Sequence, residues 1–247
     1  MAELLLIICA GFGAGVVNAL AGGGTFLTFP ALVFIGIPPV AANATSAVAV
    51  FPGYLASVFG FRDEISSVPK ASLLRASILA LIGGLVGGLL LLVSSNEIFA
   101  VLVPFLLLAA TLAFAFQKPI QRWMQGSALK ATPYGTFGLL AVSIYGGYFN
   151  GGLGIVLLAL FALWGMDNLN QMNGLKNWLS FMISAISVAT FAVAGIVAWP
   201  QALVMAVAAI AGGFVGARLA RRLPKQVVRG AIIVIGLGMS LVFFGRI

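Results

Sequence analysis

The sequence is apolar almost from end to end. Runs of roughly 20 hydrophobic residues, the length an α-helix needs to cross a bilayer, follow one another with only brief polar stretches between them. Hydrophobic residues make up 62% of the chain and charged residues 7%, and the mean hydropathy is +1.17. A water-soluble fold of this composition would expose more apolar surface than monomers tolerate. With lipid as the solvent, every backbone N–H and C=O at membrane depth must instead be paired within the protein, which favours helices. The expected fold class is therefore an all-α integral membrane protein, a single membrane domain over residues 1–247.

Hydropathy marks about ten segments, at approximately 3–20, 23–37, 40–60, 72–93 and 97–116, then 134–150, 151–166, 172–196, 200–221 and 226–245. The second and seventh are short and interrupted by glycine, at Gly22-Gly23-Gly24 and Gly151-Gly152-Leu153-Gly154. They read as half-helices or re-entrant hairpins, which survive at membrane depth only where they are buried in protein or line a cavity. Met1 to Leu20 lacks a basic leader and continues into more apolar sequence, so it reads as a membrane segment and not as a cleaved signal.

The net charge is +8, from thirteen Lys and Arg against five acids. A nucleic-acid partner would need that charge spread over a face, but most of it sits in three connections. Arg62, Lys70 and Arg75 flank one, Lys118, Arg122 and Lys130 a second, and Arg218, Arg221, Arg222, Lys225 and Arg229 a third. Ser94-Ser95-Asn96-Glu97 and Ala198-Trp199-Pro200-Gln201 carry no positive charge. By the positive-inside rule the basic connections face the cytoplasm and both termini lie outside it. Cys9 is the one cysteine and there is no histidine. That excludes an internal disulfide, a Cys/His metal site and a His-dependent triad, and no nucleophile–base pair for an enzyme can be assembled.

An internal repeat emerges when the chain is shifted against itself by 129 residues. Gly22, Gly23, Gly36, Gly83, Gly84 and Gly87 then fall on Gly151, Gly152, Gly165, Gly212, Gly213 and Gly216. Each 66-residue window holds nine glycines, so chance placement would match roughly one. The matched helices carry their charge at opposite ends, with Arg75 before Gly83 but Arg218, Arg221 and Arg222 after Gly213. Two inverted-topology repeats of five segments are expected, approximately 3–116 and 134–245, joined by a cytoplasmic connection over 117–133. That architecture is characteristic of secondary transporters, whose substrate sites lie near the midplane at discontinuous helices. A non-transporting scaffold or complex subunit is the alternative.

The stretch Gly11-Phe-Gly-Ala-Gly-Val-Val-Asn18-Ala-Leu-Ala-Gly22-Gly-Gly24-Thr25, with Pro30, Gly36 and Ala42-Asn43-Ala44-Thr45-Ser46 after it, resembles the first half of the TauE/SafE sulfite-exporter family. Tyr145-Gly-Gly-Tyr148-Phe-Asn150-Gly151-Gly152-Leu-Gly154, then Gly165 and Met172-Asn173-Gly174-Leu175-Lys176-Asn177, resembles the second. The resemblance spans nearly the whole chain. It implies transport of small anions, sulfite or an organosulfonate, mostly by export and in some members by import, with no cofactor. It also implies a bacterial cytoplasmic (inner) membrane location. Where the family often carries a lysine after the first-half Asn-Ala, this chain has Thr45-Ser46.

The residues themselves also suit an anion. A helix that restarts inside the membrane presents unpaired N–H groups and the positive end of its dipole. The candidate substrate-binding set is Asn18, Gly23, Gly24 and Thr25 at the first break and Asn150, Gly151 and Gly152 at the second. Asn43, Thr45 and Ser46 on the third segment and Asn173, Lys176 and Asn177 on the eighth, with Ser180 near them, complete it. These clusters are expected to converge between the repeats. Lys176 is a cation inside a segment without a carboxylate at helical spacing, and Asp167 lies nine residues away; it either faces the pathway or snorkels to the surface. Gly83-Gly84-x-x-Gly87-Gly88 and Gly212-Gly213-x-x-Gly216 read as close-packing faces. Tyr54, Tyr134, Trp164 and Trp199 are expected at the membrane interface, and Tyr145 and Tyr148 flank the second break as possible gates. Pro30, Pro52 and Pro104 are expected to kink or end helices, and Pro38-Pro39 to mark a turn. The five acids, Glu3, Asp63, Glu64, Glu97 and Asp167, lie in or near connections, so a proton-carrying side chain within the membrane is not expected.

Overall fold

A computed structural model describes residues 1–20, 23–116, 119, 122, 134–166, 168–219 and 225–245. Gly22, Lys118, Lys130, Asp167, Arg221 and Arg222, and most of the 117–133 connection, lie outside the described residues. Among the described residues there are helices and no strands. They are α1 (Ala2–Leu20), α2 (Thr25–Phe34), α3 (Pro39–Gly60), α4 (Arg62–Ser66), α5 (Lys70–Val93) and α6 (Asn96–Ala115), then α7 (Thr136–Tyr148), α8 (Leu153–Leu163), α9 (Leu169–Val193), α10 (Trp199–Leu219) and α11 (Lys225–Phe244). All ten expected segments are present, and the short α4 is an addition.

Among the described residues, four helices, α3, α5, α9 and α10, are long and apolar enough to cross a membrane. The broken segments are different. At 1.5 Å per residue the ten residues of α2 and eleven of α8 reach about 15 and 17 Å, half of a ~30 Å hydrocarbon core. Both are half-helices. Pro38 and Pro39 start α3 where a proline lacking its N–H costs nothing. Pro30, Pro52 and Pro104 lie inside α2, α3 and α6, and the helices continue through them; apolar surroundings offer the backbone no competing partner, so none of the three ends there. Asn168 caps α9 by accepting from the N–H groups of Asn170 and Gln171 at 3.0 and 3.2 Å.

Packing between the halves recurs with the halves exchanged. Helix α1 lies on α10, and its counterpart α7 lies on α5. Helix α5 lies on α9 and its counterpart α10 on α3; α2 meets α11 and α8 meets α6. The counterparts α3 and α9 pack on each other, as do α6 and α11. Phe51 of α3 and Phe181 of α9 stand at equivalent positions, 130 residues apart, one more than the shift that aligns the glycines. Their rings stack at 5.3 Å with an 11° interplanar angle.

Glycine makes the α1–α10 and α5–α7 contacts possible. A Cβ on Gly83 would strike Ser143, one on Gly87 the backbone of Ile144 and Tyr148, one on Gly212 the carbonyl of Phe12, and one on Gly15 the backbone of Ala209 and Gly213. Of the expected close-packing faces, Gly83, Gly87 and Gly212 are close-packing positions, with one helix resting on the next, while Gly88 and Gly213 have only ordinary contacts. The outward side of α5, with Leu74, Ile78, Leu81, Ile82, Leu85 and Leu89, is exposed and apolar, as a lipid-facing surface requires.

Candidate functional site

The two breaks close differently. At the first, Gly24 caps α2 with φ −60°, a conformation open to any residue, so glycine is required there for space. A Cβ would lie 2.7 Å from both the Ala14 carbonyl and the Asn18 amide. Asn18 Oδ1 accepts from the Gly24 N–H at 2.8 Å and so bridges the break. At the second, Gly152 caps α8 with φ +73°, the left-handed region that favours glycine. Neither N-cap glycine has a side chain to cap its helix, and the Phe26, Leu27 and Ile155 N–H groups bond back to the Gly23, Gly24 and Gly152 carbonyls.

The breaks come together inside the protein. The Phe26 ring in the first turn of α2 lies 3.5 Å from where a Cβ on Gly152 would be. Phe29, one turn later, meets Phe149 of the second break edge-on at 6.0 Å. Phe29 also packs on Phe99 of α6 and Phe243 of α11, all buried. One half-helix from each half of the chain thus starts against the other.

Around the second break lies a buried polar network. The Tyr54 hydroxyl donates to Asn150 Oδ1 at 2.9 Å, and Asn150 Nδ2 donates to Ser184 Oγ at 2.8 Å. Asn43 Nδ2 donates to the Tyr148 carbonyl at 2.9 Å, and the Tyr145 hydroxyl donates to the Gly151 carbonyl at 2.5 Å. Tyr145 and Tyr148 are thereby fixed posts, since the Tyr148 hydroxyl also pairs with Ser94 at 3.2 Å. Among the described residues, two buried side-chain atoms have no partner: Asn43 Oδ1 and Ser180 Oγ. Ser180 is one turn before Ser184 on α9, hence on the same face.

Lys176 is half-buried, and its ammonium donates to Asn173 Oδ1 at 3.2 Å. Among the described residues it has no ion pair; Arg62–Asp63, on the surface, is the pair found. The side chain of Asn177, 7% exposed, has no hydrogen bond to another described residue. Asn177, Ser180, Ser184 and Ser187 recur at spacings of three and four, so α9 carries a polar stripe. Its far end is structural, with Ser187 bonded to the Gly84 carbonyl at 3.2 Å.

Of the candidate residues, Asn43, Asn150, Gly151 and Gly152 are brought to one place, with Gly23, Gly24 and Thr25 beginning the half-helix opposite. Ser46 is committed to Thr28, hydroxyl to hydroxyl at 2.6 Å, fastening α3 to α2. Thr45 is not at the breaks: its hydroxyl donates to the Ala41 carbonyl at 2.7 Å and accepts from the Ala198 N–H at 3.0 Å, so it ties α3 to the turn before α10. Tyr54, expected at the interface, is buried because its hydroxyl has a partner inside. Trp164 is buried too, against Tyr134 and Phe161 at 5.2 Å each; Trp199 is exposed. Sequence reasoning missed Ser184, Phe51 and Phe181. The three-and-four spacing on α9 and the 130-residue correspondence were the signals that could have found them.

The family model of the sulfite exporter TauE/SafE matches residues 7–243. The chain belongs to the TauE/SafE sulfite exporter family. A probable membrane transporter protein of Haemophilus influenzae is 30% identical over 242 residues, spanning 96% of this chain and 92% of that one. A probable membrane transporter protein of Sinorhizobium is 25% identical over 242 residues, spanning 96% and 91%. The probable membrane transporter protein YfcA of Escherichia coli K12 is 25% identical over 229 residues, spanning 92% and 84%. No solved structure matches significantly. The chain is a multi-pass integral membrane protein of a transporter family.

Proposed function

We propose that this TauE/SafE member exports a small anion, sulfite or an organosulfonate, by alternating access at a site between two inverted repeats, 3–116 and 134–245. The observation that carries the reading is the meeting of the two half-helices, Phe26 on Gly152 and Phe29 on Phe149. Broken backbone at membrane depth is costly unless it serves a cavity, and the starts of two half-helices direct two positive dipole ends into one region. Lys176, a cation without an ion pair among the described residues, adds positive charge on α9, beside the polar stripe. The exchange of contacts between the halves supports a pseudo-two-fold axis between α3 and α9, and rocking about that axis would open the site to each side in turn.

The chain is read as lying in a bacterial inner membrane with both termini outside the cytoplasm. The membrane potential, negative inside, then favours anion exit without a coupled proton, in keeping with the absence of a histidine and the location of the acids. The test is flux. Purified protein in liposomes should release radiolabelled sulfite or a sulfonate under an outward-driving potential, and Lys176→Gln should abolish that release while the protein stays monodisperse. Liposomes inert toward a broad anion panel would refute transport and favour a scaffold; full flux from the Lys176 variant would remove it from the site.

A further inference from the structure

The two unpartnered polar atoms differ in what they can accept. Ser180 Oγ is a hydroxyl that rotates to donate or to accept, so it suits an anion's oxygen. Asn43 Oδ1 is an acceptor, and its orientation is fixed. The other end of the amide holds the Tyr148 carbonyl at 2.9 Å, and a carbonyl takes only a donor, so the nitrogen must be on that side and the oxygen on the free side. Asn43 is 1% exposed and Ser180 fully buried. The two atoms do not bond each other.

Both belong to the surroundings of the second break. Asn43 is one hydrogen bond from Tyr148, which directly precedes Phe149 and Asn150. Ser180 is one turn from Ser184, which holds Asn150, and one turn after Lys176 on the same face of α9. The surroundings therefore combine donors for negative charge, from Lys176 and Ser180, with one fixed acceptor. The oxygens of a simple anion cannot satisfy that acceptor and are repelled by it. Leaving it buried and unpaired is costly.

We propose that the substrate is a small anion that carries its own hydrogen-bond donor, such as a hydroxyl-bearing sulfonate or a monoprotonated oxyanion, and that Asn43 Oδ1 receives that donor. This rests on the anion-transport reading above and narrows its substrate class. Asn43 then sets specificity, because a site built to hydrogen-bond a substrate hydroxyl rejects an analogue that lacks it far more strongly than an apolar pocket does.

The experiment compares 2-hydroxyethanesulfonate with propanesulfonate, in which a methyl stands in for the hydroxyl, for flux through the reconstituted chain. The hydroxyl compound should be preferred by about ten-fold or more, the range expected for one buried acceptor left unpaired. Asn43→Leu should bring the two rates within about two-fold of each other. Because that variant also releases the Tyr148 carbonyl and could misfold, the wild-type ratio stands as an independent readout. Equal rates for the two compounds in the wild-type protein would overturn the proposal while leaving anion transport intact; no flux of any anion would overturn the transport reading itself. Replacing Na⁺ by choline should leave the preference unchanged. Collapse of both fluxes on that replacement would give the acceptor to a cation and also overturn the proposal.

Discussion

Adjacent glycines on one helix should respond oppositely to the same methyl group. On α5, a Cβ at Gly87 would meet the Ile144 carbonyl, lie 2.6 Å from the Tyr148 nitrogen and 2.9 Å from the Gly147 carbonyl carbon, all backbone of α7. A Cβ at Gly88 would find its nearest neighbour, a Phe191 ring carbon, at 3.5 Å and the next at 3.7 Å, ordinary contact. Backbone has no rotamer to change, so Gly87→Ala must push α5 and α7 apart, an overpacking cost of about 1–3 kcal/mol. Gly88→Ala lacks that cost and gains up to about 1 kcal/mol of helix propensity. For a chain of this size each kcal/mol corresponds to roughly 2–4 °C in melting temperature, so the pair should differ by roughly 2–16 °C. The other half supplies a second pair: Gly212→Ala strikes the Phe12 carbonyl, whereas the nearest atom to a Cβ on Gly213 is the Gly15 carbonyl at 3.8 Å. The assay is the fraction of detergent-solubilised protein that stays monodisperse after heating through a temperature series. Equal midpoints for Gly87→Ala and Gly88→Ala would refute backbone-to-backbone packing of α5 on α7. Because α7 leads directly into the second break, Gly87→Ala should also lower flux in the protein that survives.

Thr45→Val keeps the side-chain shape but leaves the Ala198 N–H unpaired; it should cost about 1–3 kcal/mol of stability yet leave flux per folded molecule unchanged, and lost flux at unchanged stability would return Thr45 to the substrate site. In a Cys9→Ser background, cysteines replacing Phe51 and Phe181 should be joined by a short cleavable cross-linker that stops transport until it is cut, because α3 and α9 must move past each other; undiminished flux with the link intact would refute a moving α3–α9 contact. A reporter active only outside the cytoplasm should work when fused after Ile247, and activity of only a cytoplasmic reporter at that point would invert the topology.

The sequence alone determined the solvent, the helices and the two breaks, because hydropathy and glycine interruption act through the nearest residues and through lipid that is the same on every side. Ten segments were located to within a few residues on that basis, and the glycine repeat gave the correspondence between the halves. The tertiary structure decided which polar residues have anything left to offer. Thr45 and Asn43 are two positions apart on one apolar helix, and no local property separates them. One is saturated by Ala198, 153 residues away, and the other holds Tyr148, 105 residues away, with its oxygen left over. Tyr54 reads as an interfacial tyrosine until Asn150, 96 residues on, supplies a partner in the interior. In a low-dielectric interior a polar group's role depends on whether its hydrogen-bonding capacity is met, and across such separations only the packed helices supply or withhold the partner.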